Sequence, residues 1–247
     1  MATVETVGEF LEYIQANHAS ADDFWYRGHA SVGWGLSPSV FRTPGRQENE
    51  RLLLKRFMQE ARRHSSDVPS EEWDWTFLAQ HHFVPTRLLD WSESPLVGLY
   101  FAALDTFDIA DDPKTARDGR IWILQPNKLN SQVGHPFVGR DLPMFGVDGM
   151  LDSYRPFVPP TDRLQPVAAL AARSFPRIAA QWGTFTVSTD GTSIEDLDGS
   201  TTFLTSLTVP MTAKSGIRTQ LAAIGVDERT LYMDLFRLGL HVTKVFA

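Results

Sequence analysis

Apolar residues recur at helical spacing in Val4, Val7, Phe10, Leu11 and Ile14, so the chain opens on an amphipathic helix over roughly residues 4–18. DFWYRGHA, from Asp23, is a short aromatic run that reaches a tight turn at Gly28, the mark of a buried strand. GWGLSPSVFR continues as extended backbone, with Pro38 barring a central ladder position. From Gln47 to Ser65, Leu52, Leu53, Phe57 and Ala61 form an apolar stripe among Arg, Lys and Glu, which predicts a second helix. Ser70 starts a third, SEEWDWTFLAQHH, with Glu71 and Glu72 in the first turn, where acids suit the helix dipole, and Pro85 closes it. TRLLDW is the next strand. SPLVGLYFAAL is a buried helix started by Ser94 and Pro95, and GRIWILQP is a strongly apolar strand.

Residues 126–170 break this rhythm. They are rich in Pro and Gly with little periodicity, which predicts a lid or binding loop, or else a disordered segment. RIAAQWGTFTVS and TTFLTSLTVP are two further strands, and KSGIRTQLAAIG and DERTLYMDLFRLGL two closing helices, with Gly225 as a C-cap and Asp227 as an N-cap. Strands fall between helices without a regular βαβ alternation. The fold class expected is therefore α+β: a single domain over 1–247, with a curved or split, mostly antiparallel sheet and helices packed on it. Its core spans about residues 20–210 and its closing helices about 211–240. No GxGxxG or Walker A pattern occurs, so the commonest nucleotide-binding loops are excluded.

At 247 residues, 43% apolar and 21% charged, the chain has the make-up of an ordinary globular protein with a real core. No apolar run approaches the roughly eighteen residues of a membrane span. There is no cysteine, which removes disulfides, thiolate metal sites and a Cys nucleophile together. The acidic, amphipathic N-terminus lacks the basic-then-apolar pattern of a secretory signal, and a cytoplasmic location is the simplest expectation. A net charge of −7 argues against broad binding to a phosphate backbone. It leaves room for a local basic pocket, and most of the 23 basic residues are Arg, several beside aromatics or Gly.

Chemistry concentrates in LAQHHFVPTRLLDWSESPLVGLYFA, residues 78–102, where Gln80, His81, His82, Thr86, Arg87, Asp90 and Trp91 flank two leucines. In a strand, Thr86, Leu88 and Asp90 share one face while Arg87 and Leu89 take the other. Thr86 and Asp90 would border a cavity, Arg87 would anchor something behind the sheet, and His81 and His82 would lie at the mouth. Tyr26-Arg27-Gly28 can place a guanidinium in a cleft, with backbone able to approach a ligand; read alone, it fits an Arg locking a core carboxylate at least as well. Arg173, Arg177, Gln181 and Gly183 form a third group, with Gln181, Gly183 and Phe185 alternating along a half-buried strand. Two His and a distant Asp are too few for a metal, so none is expected. No Gly-x-Ser-x-Gly elbow and no HExxH are present, and serine hydrolase and zincin readings fail.

Tyr26-Arg27-Gly28, AQHHFVPTRLLDWSESPLVGLYFA and PRIAAQWGTFTV, in this order, resemble the FRG domain, a family named for its Phe/Tyr-Arg-Gly motif. The motif order is in turn similar to the ADP-ribosyltransferase fold. That resemblance implies NAD as substrate, transfer to a protein or nucleic-acid acceptor, and a role as an intracellular toxin or defence effector. It implies Arg27, His81, Glu93 and Gln181 as the reacting set. Tyr26, Arg27, Gly28, Gln80, His81, His82, Thr86, Arg87, Asp90, Trp91 and Arg177 would hold the dinucleotide. Many such transferases carry Gln-x-Glu on the third strand, and this chain has Gln181-Trp182-Gly183 there. The cation-stabilising acid would then be Glu93, Asp90 or Glu195, or else the domain is a non-catalytic nucleotide- or nucleic-acid-binding module of the same fold. An interaction domain with a purely structural polar core is the third alternative. The acceptor and the oligomeric state are not legible.

Overall fold

The computed structural model describes residues 2–18, 23–65, 68–105, 117–133, 141–158 and 164–246. It is α+β and built on one mixed, seven-stranded sheet in the order β1-β7-β4-β2-β3-β6-β5. The strands are β1 (Ala2–Thr3), β2 (Trp25–His29), β3 (Leu88–Ser92), β4 (Gly119–Leu124), β5 (Val167–Ala169), β6 (Gly183–Val187) and β7 (Leu204–Val209). β1 runs parallel to β7, and every other pair of neighbours is antiparallel. The helices are α1 (Val7–Asn17), α2 (Arg46–Ala61), α3 (Glu72–His81), α4 (Pro95–Ala102), α5 (Pro126–Gln132), α6 (Pro176–Ala180), α7 (Lys214–Ala223), α8 (Glu228–Tyr232) and α9 (Leu235–Phe246). None among the described residues is long and apolar enough to cross a membrane.

The sheet is almost cut in two. β2 pairs with β4 from Trp25 to His29, and β3 with β6 along its whole length, but β2 meets β3 at the single pair Tyr26↔Ser92. Alternation along the strands then divides the core. On one face Trp25, Leu89, Trp91, Trp122, Leu124 and Ala168 make one cluster that spans both halves. On the other face there are two clusters. One joins Tyr26, Ile121, Ile123 and Leu207 to α1, α4 and α7; the other joins Leu88, Phe185 and Val187 to α3 and α6. The β2–β3 seam runs between those two.

Gly28 and Gly98 set how closely α4 lies on β2. A Cβ on Gly28 would stand 2.1 Å from the Gly98 carbonyl and 2.3 Å from the Ala102 amide nitrogen, and one on Gly98 would stand 2.7 Å from the Tyr26 Cβ. Gly28 is therefore needed inside β2 for helix packing, where a tight turn is expected from the sequence. Other expectations are corrected too. Residues 33–42 are mostly irregular, with a 3-10 turn at Ser39–Phe41. Glu50 and Leu54 are the buried positions of α2, while Leu52 is exposed, because Arg87 supplies a partner that draws the Glu inward. Glu71, not Ser70, takes the cap position of α3 and Ser94 that of α4, each without a side-chain bond. Within 126–170 lie α5, a 3-10 turn at Gly149–Tyr154 and the edge strand β5, with Phe145, Leu151 and Val167 in the core. That is packed structure; positions 134–140 and 159–163 of this segment fall outside the described residues. RIAA is helix α6, so Gln181 caps a helix and only Gly183 onward is strand. The second closing helix is two, α8 and α9, separated at Met233; Gly225 (φ +82°) and Asp227, with a complete capping box, take the expected places.

Candidate functional site

A cavity of about 230 Å³ occupies the seam. Its apolar walls come from both adjoining clusters: Tyr26, Val97 and Phe101 from one side, Phe77, Ile178 and Phe185 from the other. Its polar groups are Arg27, Gln80, His81, Asp90, Ser92, Arg177 and Gln181, and Trp91, Phe83, Gly28 and Gly183 complete it. Arg27 and Trp91 belong to the opposite face by alternation; they reach the cavity because β2 and β3 part beyond Tyr26↔Ser92.

Arg27 crosses the opening. Its Nη1 donates to the Asp90 carbonyl and lies 3.6 Å from Asp90 Oδ2, and its Nε donates to His29 Nε2 at 2.9 Å. The side chain is only 16% exposed, and burial pulls the guanidinium down to about 10 against the opposing pull of Asp90, so it stays charged at neutral pH. Asp90, whose side chain is 59% exposed, is the one carboxylate among the lining residues described. Gln80 Nε2 donates to its Oδ1 at 2.6 Å, and the buried Thr86 hydroxyl donates to Gln80 Oε1. An amide whose oxygen is taken by a hydroxyl must turn its NH₂ outward, so Thr86 fixes the direction in which Gln80 holds Asp90.

His81 lines the cavity at the end of α3. Burial, then Arg177 and His82, push it down to about 4, so it is neutral at physiological pH. Arg177 donates to the His81 carbonyl at 3.5 Å and lies over the Tyr232 ring at 4.9 Å. Gln181 Nε2 donates to the Leu231 carbonyl at 3.0 Å, tying α6 to α8 beside the cavity. Ser92 Oγ donates to the Gln181 carbonyl at 2.7 Å, and Trp91 Nε1 donates to Thr186 Oγ1 at 3.1 Å.

The seam thus brings together Tyr26, Arg27, Gly28, Gln80, His81, Asp90, Trp91, Arg177 and Gln181. Four of the residues that the resemblance implies for the reacting set or for the dinucleotide do not line it. Arg87 stands just before β3, where its Nε and Nη2 grip Glu50 at 2.9 and 2.6 Å and its Nη1 donates to the Tyr154 carbonyl, so it holds no free donor fork for a ligand. Glu93 is paired with Arg173. His82 caps α3 and is exposed, its ring 6.0 Å from that of Phe57. Thr86 is fully buried and acts through Gln80. Glu195 lies elsewhere, its carboxylate accepting from the Leu36 amide. Among the described residues no three His, Asp or Glu side chains cluster as a metal would require.

Sequence reasoning missed His29 and Phe83. His29 was open to discovery, since period 2 puts it on the Arg27 face. Phe83 carried no signal: it is 79% exposed and left-handed (φ +63°), in the position after the α3 cap that glycine usually takes. No curated protein and no solved structure matches the chain. The FRG domain family model matches residues 22–109, the stretch that supplies β2, α2, α3, β3 and α4, and both edges of the seam lie inside that match.

Proposed function

We propose that the seam binds a nucleotide and that this domain is an ADP-ribosyltransferase-like enzyme with NAD as its substrate. The observation that carries the proposal is Asp90: a carboxylate in an aromatic-walled cavity, gripped by Gln80 and set against Arg27. Aromatic walls suit a flat base, and guanidinium groups at Arg27 and Arg177 suit phosphate oxygens. A cavity of about 230 Å³ is small beside the roughly 300–1,000 Å³ of most ligand sites, so it takes one base-and-sugar end and leaves the remainder at the surface. Cleavage breaks the ribose C1′–N bond, its electron pair leaves with nicotinamide, and the ribose carries the positive charge until the acceptor's nucleophile forms the new bond. Asp90 would stabilise that charge, the role for which Glu93, paired away from the cavity, is unsuited.

Incubation with NAD labelled in the nicotinamide ring tests this. Expected is release of label, reduced about 10²–10³-fold in Asp90→Asn, the usual cost of losing one positioned electrostatic group. Saturable NAD binding without release by the parent protein would remove the enzyme reading. The second reading, a non-catalytic nucleotide-binding module, is favoured by Gly183. A Cβ there would meet Ile178 Cγ2 at 3.0 Å and the Ile178 carbonyl at 3.3 Å, so the third strand is packed against bulk where an acid would stand. The acidic net charge disfavours extended nucleic acid as the partner in either reading.

A further inference from the structure

We infer that His29 is a positioning residue: through Arg27 it fixes the guanidinium that spans the β2–β3 seam, and so sets the affinity of the proposed nucleotide site. The inference rests on that site reading for its functional half and on geometry alone for its structural half.

Arg27 Nε–H can only donate, so the His29 Nε2 atom 2.9 Å away must present a lone pair. The other ring nitrogen, Nδ1, lies 3.1 Å from the Trp34 carbonyl, which can only accept, so Nδ1 carries the proton. One tautomer satisfies both contacts, and it is neutral. Protonation would place an N–H against the Arg27 N–H and break the hold. The surroundings oppose it: His29 is 4% exposed, Arg27 shares its strand, Arg120 stands opposite it on β4, and Arg42 is within electrostatic reach. The Trp34 carbonyl alone favours the charged ring. Arg27 is thereby gripped from both sides, at Nε by an imidazole whose ring is itself fixed and at Nη1 by the Asp90 carbonyl. A guanidinium ordered before the ligand arrives loses less freedom on binding than one that must first be collected from its rotamers.

The experiment uses the full chain labelled with ¹⁵N at His and Arg, and NAD as the probe ligand. Expected in the parent is a His29 ring protonated at Nδ1 and bare at Nε2 at neutral pH, with slow solvent exchange of the Arg27 Nε proton. His29→Leu should speed that exchange and weaken NAD binding about tenfold or more. His29→Gln, whose amide oxygen can take the Nε2 place, should keep both near the parent. A parent His29 that is an imidazolium or carries its proton on Nε2 overturns the inference without any variant. So does a folded His29→Leu protein whose exchange and affinity stay within twofold of the parent. If the parent takes up no NAD while the tautomer and exchange pattern hold, the nucleotide reading falls and the hold of His29 on Arg27 is upheld.

Discussion

Two arginines, Arg27 and Arg87, show how the same side chain takes opposite parts in one sheet. Arg87 is locked against Glu50, a carboxylate 1% exposed, so removing either partner strands a buried charge. Arg87→Ala should cost about 3–5 kcal/mol in denaturant unfolding, the usual penalty for breaking a buried pair. Arg27→Ala should leave the unfolding midpoint far less changed and abolish nucleotide binding, and Arg27→Lys should not rescue it, because an ammonium lacks the planar fork whose separate nitrogens reach His29 and Asp90. Period 2 in TRLLDW sets Arg87 on the face opposite Thr86, Leu88 and Asp90. It could not name Glu50, which looks like any solvated acid on α2 until the fold brings the two segments together. For the same reason Glu93 and Asp90 were indistinguishable in the sequence: the fold separates them, putting Asp90 on the cavity and Glu93 against Arg173. Thr86→Val removes the hydroxyl that orients Gln80 and accepts from the Leu88 amide, and should lower nicotinamide release more than it lowers stability, where each lost hydrogen bond is worth about 1 kcal/mol.

Three helices end on bulky residues in left-handed backbone: α3 at Phe83 (φ +63°), α6 at Trp182 (φ +50°) and α8 at Met233 (φ +53°), and of these Phe83 lines the cavity. Such positions ordinarily take glycine, and a side chain there costs about 1–2 kcal/mol. At Phe83 the strain leaves an aromatic ring exposed on the cavity edge. Phe83→Gly should therefore raise stability by about 1 kcal/mol and weaken ligand binding, a pairing of effects that thermal melts and titration together would detect. Gly28→Ala should act in the opposite sense. With backbone atoms 2.1 and 2.3 Å from the new methyl, α4 must move off the sheet, and a loss of several kcal/mol or failure to fold is expected. The order of strands and helices from α1 to β4 was legible, because burial imposes its periods there. The α6 turn was not: PRIAA is too short to show a helical period, so it merged with the strand that follows. The segment around β5 was missed because its core contacts come from scattered apolar residues held by distant strands.

Across the whole molecule, His18, His29 and His81 are all pushed below the ordinary histidine value of 6.5, chiefly by burial, His81 to about 4. Below about pH 6.5 the unfolded chain therefore binds protons that the folded one refuses, and stability falls as the pH drops through that window. Asp227, held below its usual range by Arg229 and the α8 amides, adds loss in the same direction at lower pH. Thermal melts from pH 7 to 5 should show the decline, and His29→Gln should flatten part of it; a midpoint unchanged over that range would contradict the neutral histidines. The sheet is continuous but joined at its centre by one ladder pair where five flank it on each side, and the sequence could not reveal that this weak seam is where the cavity lies. The most direct test of the account is a calorimetric titration of NAD into the parent protein and Arg27→Ala at matched low salt. Saturable one-to-one binding by the parent, lost in Arg27→Ala, is the predicted result; no saturable heat from the parent, or equal affinity in both proteins, would contradict it.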